Sequence, residues 1–128
     1  MKKSLHLSAT LLLLVGLSTS LFGQTPRKVL LEKFTSAGCP GCAWGGFLLD
    51  SLAANDPDLI PVSIHIDDQW HAHEMATPDG DMVLATYWWA QPTAMLDRYK
   101  FSDQTQMAIS SPFWKDKIDE RKMTPYPI

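Results

Sequence analysis

Hydrophobic and polar positions follow two different periods in the first half of the chain. A compact apolar run at residues 29–34, bounded by Pro26 and by the small residues that follow it, predicts a buried strand. Apolar residues then recur at spacings of three and four across residues 44–52. This spacing places them on one face of a helix, which Asn55-Asp56-Pro57 ends.

A second strand is predicted for residues 59–66, where Val62, Ile64 and Ile66 alternate and therefore share one face. Residues 67–81 are polar and rich in His and Asp, a composition typical of a loop or an irregular connection.

Three further elements are predicted after this loop. Residues 82–89 favour a short apolar helix, and residues 93–96 favour a third strand. Ser111 is expected to cap a last helix, with Pro112 at its first position, that runs to about residue 122. The alternating order of strands and helices indicates an α/β fold whose first crossover is parallel and right-handed.

Residues 1–23 have the three-part order of a secretory signal peptide. Lys2 and Lys3 precede an apolar core at residues 11–15, and small residues follow as far as Gly23. The apolar core is too short to span a bilayer comfortably, although an uncleaved N-terminal anchor is the alternative. We therefore expect an exported protein with a single domain at residues 24–128.

Composition and charge narrow the class of protein. The chain is 45% hydrophobic and 20% charged, as is usual for a globular domain. Its formal charge is −3, and without Lys2 and Lys3 it holds 9 basic and 14 acidic residues. An acidic domain with no basic run argues against nucleic acid as a partner. The two cysteines are too few for a scaffold of several disulfides.

Cys39 and Cys42 lie where the first predicted strand turns into the first predicted helix. The N–H groups at a helix N-terminus stabilise a thiolate, so Cys39 is the candidate nucleophile and is expected to be partly exposed. Cys42, one turn inside the helix, is the candidate resolving residue of a thiol–disulfide exchange. No cofactor is implied, because the dithiol itself carries two electrons.

The same two cysteines are open to other interpretations. They could form an inert structural disulfide, although so short a loop stabilises weakly. They could also supply half of a metal site with His65, His71 and His73, but a solvated loop explains these histidines more simply, and no metal is expected.

Residues 29–42, which end in Cys39-Pro40-Gly41-Cys42, resemble the strand and active site of the thioredoxin superfamily. Gln91-Pro92-Thr93 is similar to a second landmark of that family, a proline–threonine pair that opens a strand. The resemblance covers roughly residues 29–96. It implies a thioredoxin-like α/β fold with a central mixed sheet flanked by helices. It also implies a cis peptide bond at Pro92, packed against the cysteines, and a substrate-binding backbone at Gln91.

The resemblance further implies a function. The chain looks like a thiol–disulfide oxidoreductase whose partners are protein thiols or disulfides and a redox-recycling protein. It looks most like thioredoxin-like proteins exported by Gram-negative bacteria, which are periplasmic or associated with the outer membrane. The competing hypotheses are a non-catalytic envelope-associated binding module with a static disulfide, and a Cys/His metal-binding protein.

Several positions depart from the family pattern. Pro40-Gly41 reverses the order found in thioredoxin itself, and Lys33 stands where thioredoxin has a buried acid. Glu32 is adjacent to Lys33, but the pleat of a strand turns it to the other face. Tyr99-Lys100-Phe101 is the candidate for the hairpin partner strand, and residues 124–128 are interpreted as a linker or a shortened end.

Overall fold

A computed structural model describes residues 27–67, 75–87 and 90–124. The predicted signal peptide, His71 and His73, and most of the C-terminal tail lie outside the described residues.

The described part of the chain contains four strands and three helices. In chain order these are β1 (Val29–Thr35), α1 (Pro40–Asn55), β2 (Leu59–His65), α2 (Pro78–Tyr87), β3 (Thr93–Leu96), β4 (Ile109–Ser110) and α3 (Trp114–Met123), the last preceded by a 3₁₀ turn at Ser111–Phe113.

The strands form one mixed sheet in the order β2-β1-β3-β4. β1 pairs in parallel with β2 and antiparallel with β3, and β3 pairs antiparallel with β4. Leu31 of β1, for example, lies between Pro61 of β2 and Leu96 of β3. The strand that leads to the cysteines is therefore held on both sides.

Helices cover both faces of this sheet. One face of β1 joins the larger core beneath α1 and α3, which includes Leu31, Leu49, Leu96, Phe101, Trp114 and Ile118. The other face joins a smaller core beneath α2, formed by Phe34, Ile66, Met95 and Ala108 with Val83 and Leu84 at its edge. The predicted fold class is confirmed: this α/β arrangement, with a central mixed sheet between helices, is compatible with a thioredoxin-like fold.

α2 begins four residues before the predicted start at residue 82. The hydroxyl of Thr77 accepts a hydrogen bond from the backbone N–H of Gly80, as an N-cap does, and Pro78 opens the first turn. A Cβ at Gly80 would lie 2.7 Å from the carbonyl oxygen of His65, so glycine permits this close approach to β2. The acidic composition of this turn, which predicted a loop, suits a helix N-terminus.

The hairpin partner predicted at Tyr99-Lys100-Phe101 is wrong, because β3 pairs instead with Ile109–Ser110. Asp97 and Arg98 have φ values of 51° and 49°, which turn the chain away from β3 directly after it ends. Phe101 then inserts its side chain into the core and forms no ladder.

Two finer predictions also need correction. Ser111 belongs to the 3₁₀ turn, whose N-cap is Ser110, while the N-cap of α3 is Phe113. Val62 of β2 is exposed whereas Ile66, the residue directly after β2, is buried, so burial along this face increases toward the carboxyl end of the predicted strand.

Candidate functional site

The two cysteines lie at the N-terminus of α1 and are joined by a disulfide. Cys39 is the N-cap residue, with extended backbone (φ −88°, ψ 107°), and Pro40 follows at the first helical position. The backbone N–H of Cys42 donates to the carbonyl oxygen of Cys39 at 3.1 Å. The Cα atoms of the two cysteines are 5.3 Å apart and the sulfurs 2.06 Å apart. One turn of helix therefore provides the spacing that the bridge requires.

Both cysteines are buried in this disulfide state. Cys39 is 8% exposed and Cys42 is 4% exposed. Cys39 is more exposed than Cys42, as the sequence predicted. The expectation that Cys39 is partly exposed, however, is wrong. Around the disulfide, the loop before α1 is joined to Gln91 by a hydrogen bond at Ser36, and Pro92 packs against Gly41 between the cysteines.

Pro92, at the entrance to β3, packs directly against the first turns of α1. The Gln91–Pro92 peptide bond is cis, as the resemblance implies. A Cβ at Gly41, between the cysteines, would lie 3.2 Å from Pro92 Cδ, and one at Gly45 would lie 3.0 Å from Pro92 Cβ. These glycines let the proline ring approach the helix backbone. The structure thus brings together the cysteines and the proline that the sequence indicated.

Side-chain hydrogen bonds tie the loop before β3 to the loop before Cys39. Gln91 Nε2 donates to Ser36 Oγ at 2.7 Å, and Ser36 is buried. The hydroxyl of Thr93 donates to the carbonyl oxygen of Ala90 at 2.8 Å. Gln91 therefore contributes its side chain to the architecture of the site, a role that the sequence analysis did not assign to it.

Trp114, the first residue of α3, packs against Gly45 of α1 beside the site. Its side chain is fully buried, its Nε1 donates to the carbonyl oxygen of Ile109, and its Cη2 lies 3.6 Å from the Cβ position of Gly45. The sequence analysis did not connect Trp114 with the site. Its position under Gly45 depends on a contact between distant segments, which periodicity cannot reveal.

Two charged residues of β1 point to opposite faces of the sheet. Glu32 is buried and receives hydrogen bonds from the guanidinium of Arg98, the shortest 2.8 Å. Lys33 is 6% exposed and faces α1, and burial lowers the pKa of its ammonium while the carboxylate of Asp50 acts in the opposite direction. The prediction that Glu32 turns away from the cysteine side is correct.

The proposed metal ligands are only partly described. His65 is half-buried at the end of β2, and His71 and His73 lie outside the described residues. Across residues 27–67, 75–87 and 90–124, no group of three or more His, Cys, Asp or Glu side chains is arranged to hold a metal ion. Within the same stretches, no helix combines the length and apolar character needed to cross a membrane.

Comparison with known proteins adds information about the fold. No family model and no curated protein matches the chain. Among solved structures, the crystal structure of protein AGR_C_4864 from Agrobacterium tumefaciens is similar, with a TM-score of 0.56 and 18% sequence identity. The match covers 78% of this chain and 47% of that protein, so this chain spans about half its length. At this identity the similarity shows a shared fold alone.

Proposed function

We propose that the protein is an exported thiol–disulfide oxidoreductase of the thioredoxin superfamily that acts on protein disulfides through Cys39 and Cys42. One observation carries the proposal: a Cys-x-x-Cys disulfide lies at the N-terminus of a helix and packs against Pro92. A helix N-terminus favours the thiolate form of the cysteine that begins it, which is the form that attacks a disulfide.

The exchange proceeds in two steps. The Cys39 thiolate attacks one sulfur of a substrate disulfide and forms a mixed disulfide, and the electron pair leaves on the other substrate sulfur, which takes a proton. The Cys42 thiolate then attacks Cys39 Sγ, which breaks the mixed disulfide and releases the second substrate thiol. The protein dithiol is oxidised by two electrons and the substrate disulfide is reduced by two. A partner dithiol restores the reduced pair.

Two features of the surface near the site support a protein substrate. Gln91 precedes Pro92 and offers backbone groups for an extended chain. Trp44 and Phe47, on the outer face of α1, are 66% and 72% exposed. Exposed aromatic side chains of this kind supply apolar contact area for a polypeptide.

Export is part of the proposal and rests on the sequence of residues 1–23. A disulfide forms and persists in an oxidising compartment such as the periplasm, which agrees with an exported location. Association with the outer membrane or another part of the envelope is proposed on the family resemblance alone.

Trapping of mixed disulfides tests the function. Cys42→Ser is expected to accumulate mixed disulfides with substrate proteins, because nothing resolves them, whereas Cys39→Ser is expected to trap almost none. The trapped species are separated on non-reducing gels and identified by mass spectrometry. The alkylation rates of the two thiols are also measured in the reduced protein. Equal rates for Cys39 and Cys42, with no trapped partner in either variant, would contradict the proposal.

A static-disulfide binding module is the second candidate, favoured by the burial of both cysteines. The reduction potential of the pair separates the two functions. A structural bridge resists glutathione buffers and has a potential below about −300 mV, whereas an exchanging dithiol equilibrates with them.

A further inference from the structure

Lys33 is a buried cation that has no role in the two steps of the proposed exchange. It is 6% exposed on the central strand, and no carboxylate among the described residues lies within ion-pair distance of its ammonium. Burial lowers the pKa of Lys33, which is the response of a charge without a close counter-ion. A lysine in this position is costly for the fold, and its ammonium lies against the helix that carries the cysteines.

The ammonium of Lys33 lies against the face of α1 that carries Cys42. Its Nζ is 3.6 Å from the Cβ position of Gly46. Gly46 follows Cys42 by four residues, and helical residues four apart are neighbours on one face. Cys42 is itself buried on the inner side of the helix. The positive charge of Lys33 therefore lies about one helical turn from Cys42, on the side of α1 that faces the sheet.

Among the described residues, few other ionisable groups face Lys33. On α1 the nearest acid is Asp50, which acts on the ammonium through space. On the flanking strands Lys33 is paired with Ser63 and Ala94, which carry no charge. His65 lies two residues after Ser63 on β2 and therefore on the same face of the sheet.

We propose that Lys33 is a positioning residue for the second step of the exchange, in which its ammonium stabilises the thiolate of Cys42. The proposal rests on the proposed function. When the Cys42 thiol loses its proton to solvent, the adjacent cation lowers the free energy of the anion that remains. That anion attacks Cys39 Sγ, the mixed disulfide breaks, and the departing substrate sulfur carries the electron pair and takes a proton. Lys33 itself forms and breaks no bond.

Ellman's reagent resolves the two steps in the reduced full-length protein. Attack by Cys39 releases one coloured thiolate and leaves the second half of the reagent on Cys39, and attack by Cys42 releases the second. Both rates are measured against pH by stopped flow. The variants are Lys33→Met, which removes the charge at similar volume, Lys33→Arg, which retains it, and Lys100→Met as a control at an exposed lysine.

For Lys33→Met the titration midpoint of the second release is expected to move upward by about one pH unit, because an opposite charge has been removed. A more basic thiolate is also a better nucleophile, with a Brønsted slope of about 0.4–0.5. The second release should therefore be about three-fold slower at pH 7 and about three-fold faster once Cys42 is fully ionised. Lys33→Arg and Lys100→Met should keep the parent profile.

If Lys33 acts electrostatically, the pH–rate profiles of the second release for Lys33→Met and for the parent should cross. Damage to the fold would instead slow the second release at every pH. Lys33→Met should remain at least as stable as the parent, since it loses a buried charge. A Lys33→Met profile identical to that of the parent, or a Lys33→Arg profile like that of Lys33→Met, would overturn the proposal for Lys33. Absence of any second release from the parent protein would instead overturn the proposed function.

Discussion

Gly45 and Gly46 are adjacent in α1 but face different surroundings. A Cβ at Gly45 would lie 3.0 Å from Pro92 Cβ and 3.6 Å from Trp114, a fully buried ring. A Cβ at Gly46 would meet only Lys33 Nζ, at 3.6 Å, which is an ordinary van der Waals contact. Packing therefore requires a glycine at the first position and tolerates a methyl group at the second.

Substitution of each glycine by alanine should separate these two roles. Gly45→Ala should lower the free energy of unfolding by about 1–3 kcal/mol, because the added methyl pushes the Pro92 loop away from the helix. It should also slow thiol–disulfide exchange. Gly46→Ala is the matched control and should stabilise the protein by about 0.5–1 kcal/mol, the usual gain for this change within a helix.

Chemical denaturation of both variants measures these changes. Equal stability of the two alanine variants would show that Pro92 does not constrain the helix at Gly45.

At the scale of elements, Asp97 joins the ends of β1, β3 and α3. Its Oδ1 accepts a hydrogen bond from the backbone N–H of Leu30, and its backbone N–H donates to the Leu30 carbonyl oxygen, both at 2.8 Å. Its Oδ2 lies 2.6 Å from Arg27 Nη2 and 3.0 Å from Arg121 Nε, and both arginine side chains are buried. One carboxylate thus neutralises two buried cations that come from distant parts of the chain.

Asp97→Asn should destabilise the protein by about 3 kcal/mol, because the buried Arg27 and Arg121 side chains both lose the negative charge of this carboxylate. Urea denaturation followed by circular dichroism measures the loss. Asp103→Asn is the control: Asp103 is exposed and its partner Lys117 keeps Glu120, so the loss should be much smaller. A similar loss in both variants would contradict the network.

The sequence predicted those elements whose signal is local. β3 has its predicted bounds, and β1 differs by one residue, because compact apolar runs define buried strands. β4 was missed because two residues leave no periodic pattern and their pairing depends on the turn at Asp97 and Arg98. In the site, the cysteines and Pro92 were identifiable from motifs, and the resemblance placed Lys33 at a buried position, although lysine is rarely enclosed.

At the scale of the whole molecule, the disulfide adds little to the stability of the fold. Cys39 and Cys42 are separated by three positions, so the bridge closes a very short loop. In the chain-entropy account such a loop contributes at most about 2 kcal/mol. The two hydrophobic cores, by contrast, contain residues from β1, the first described strand, to α3, the last described helix.

Reduction of the disulfide should therefore leave the protein folded. We expect the free energy of unfolding to fall by about 2 kcal/mol or less, with unchanged far-ultraviolet circular dichroism. The double variant Cys39→Ser/Cys42→Ser serves as the control and should be about as stable as the reduced protein. Unfolding on reduction would indicate that the bridge is structural and would favour the static-disulfide module.

β2 forms an outer strand of the sheet among the described residues, and Pro61 lies in its middle. A proline is accommodated in a strand where its missing N–H would face away from the neighbouring strand. Ile60 and Val62 on either side of Pro61 are exposed and apolar. Exposed apolar residues on an outer strand favour pairing with a strand of another chain. An incoming strand would find no donor at residue 61. A proline that leaves the pairing with β1 intact therefore disfavours edge-to-edge association along β2.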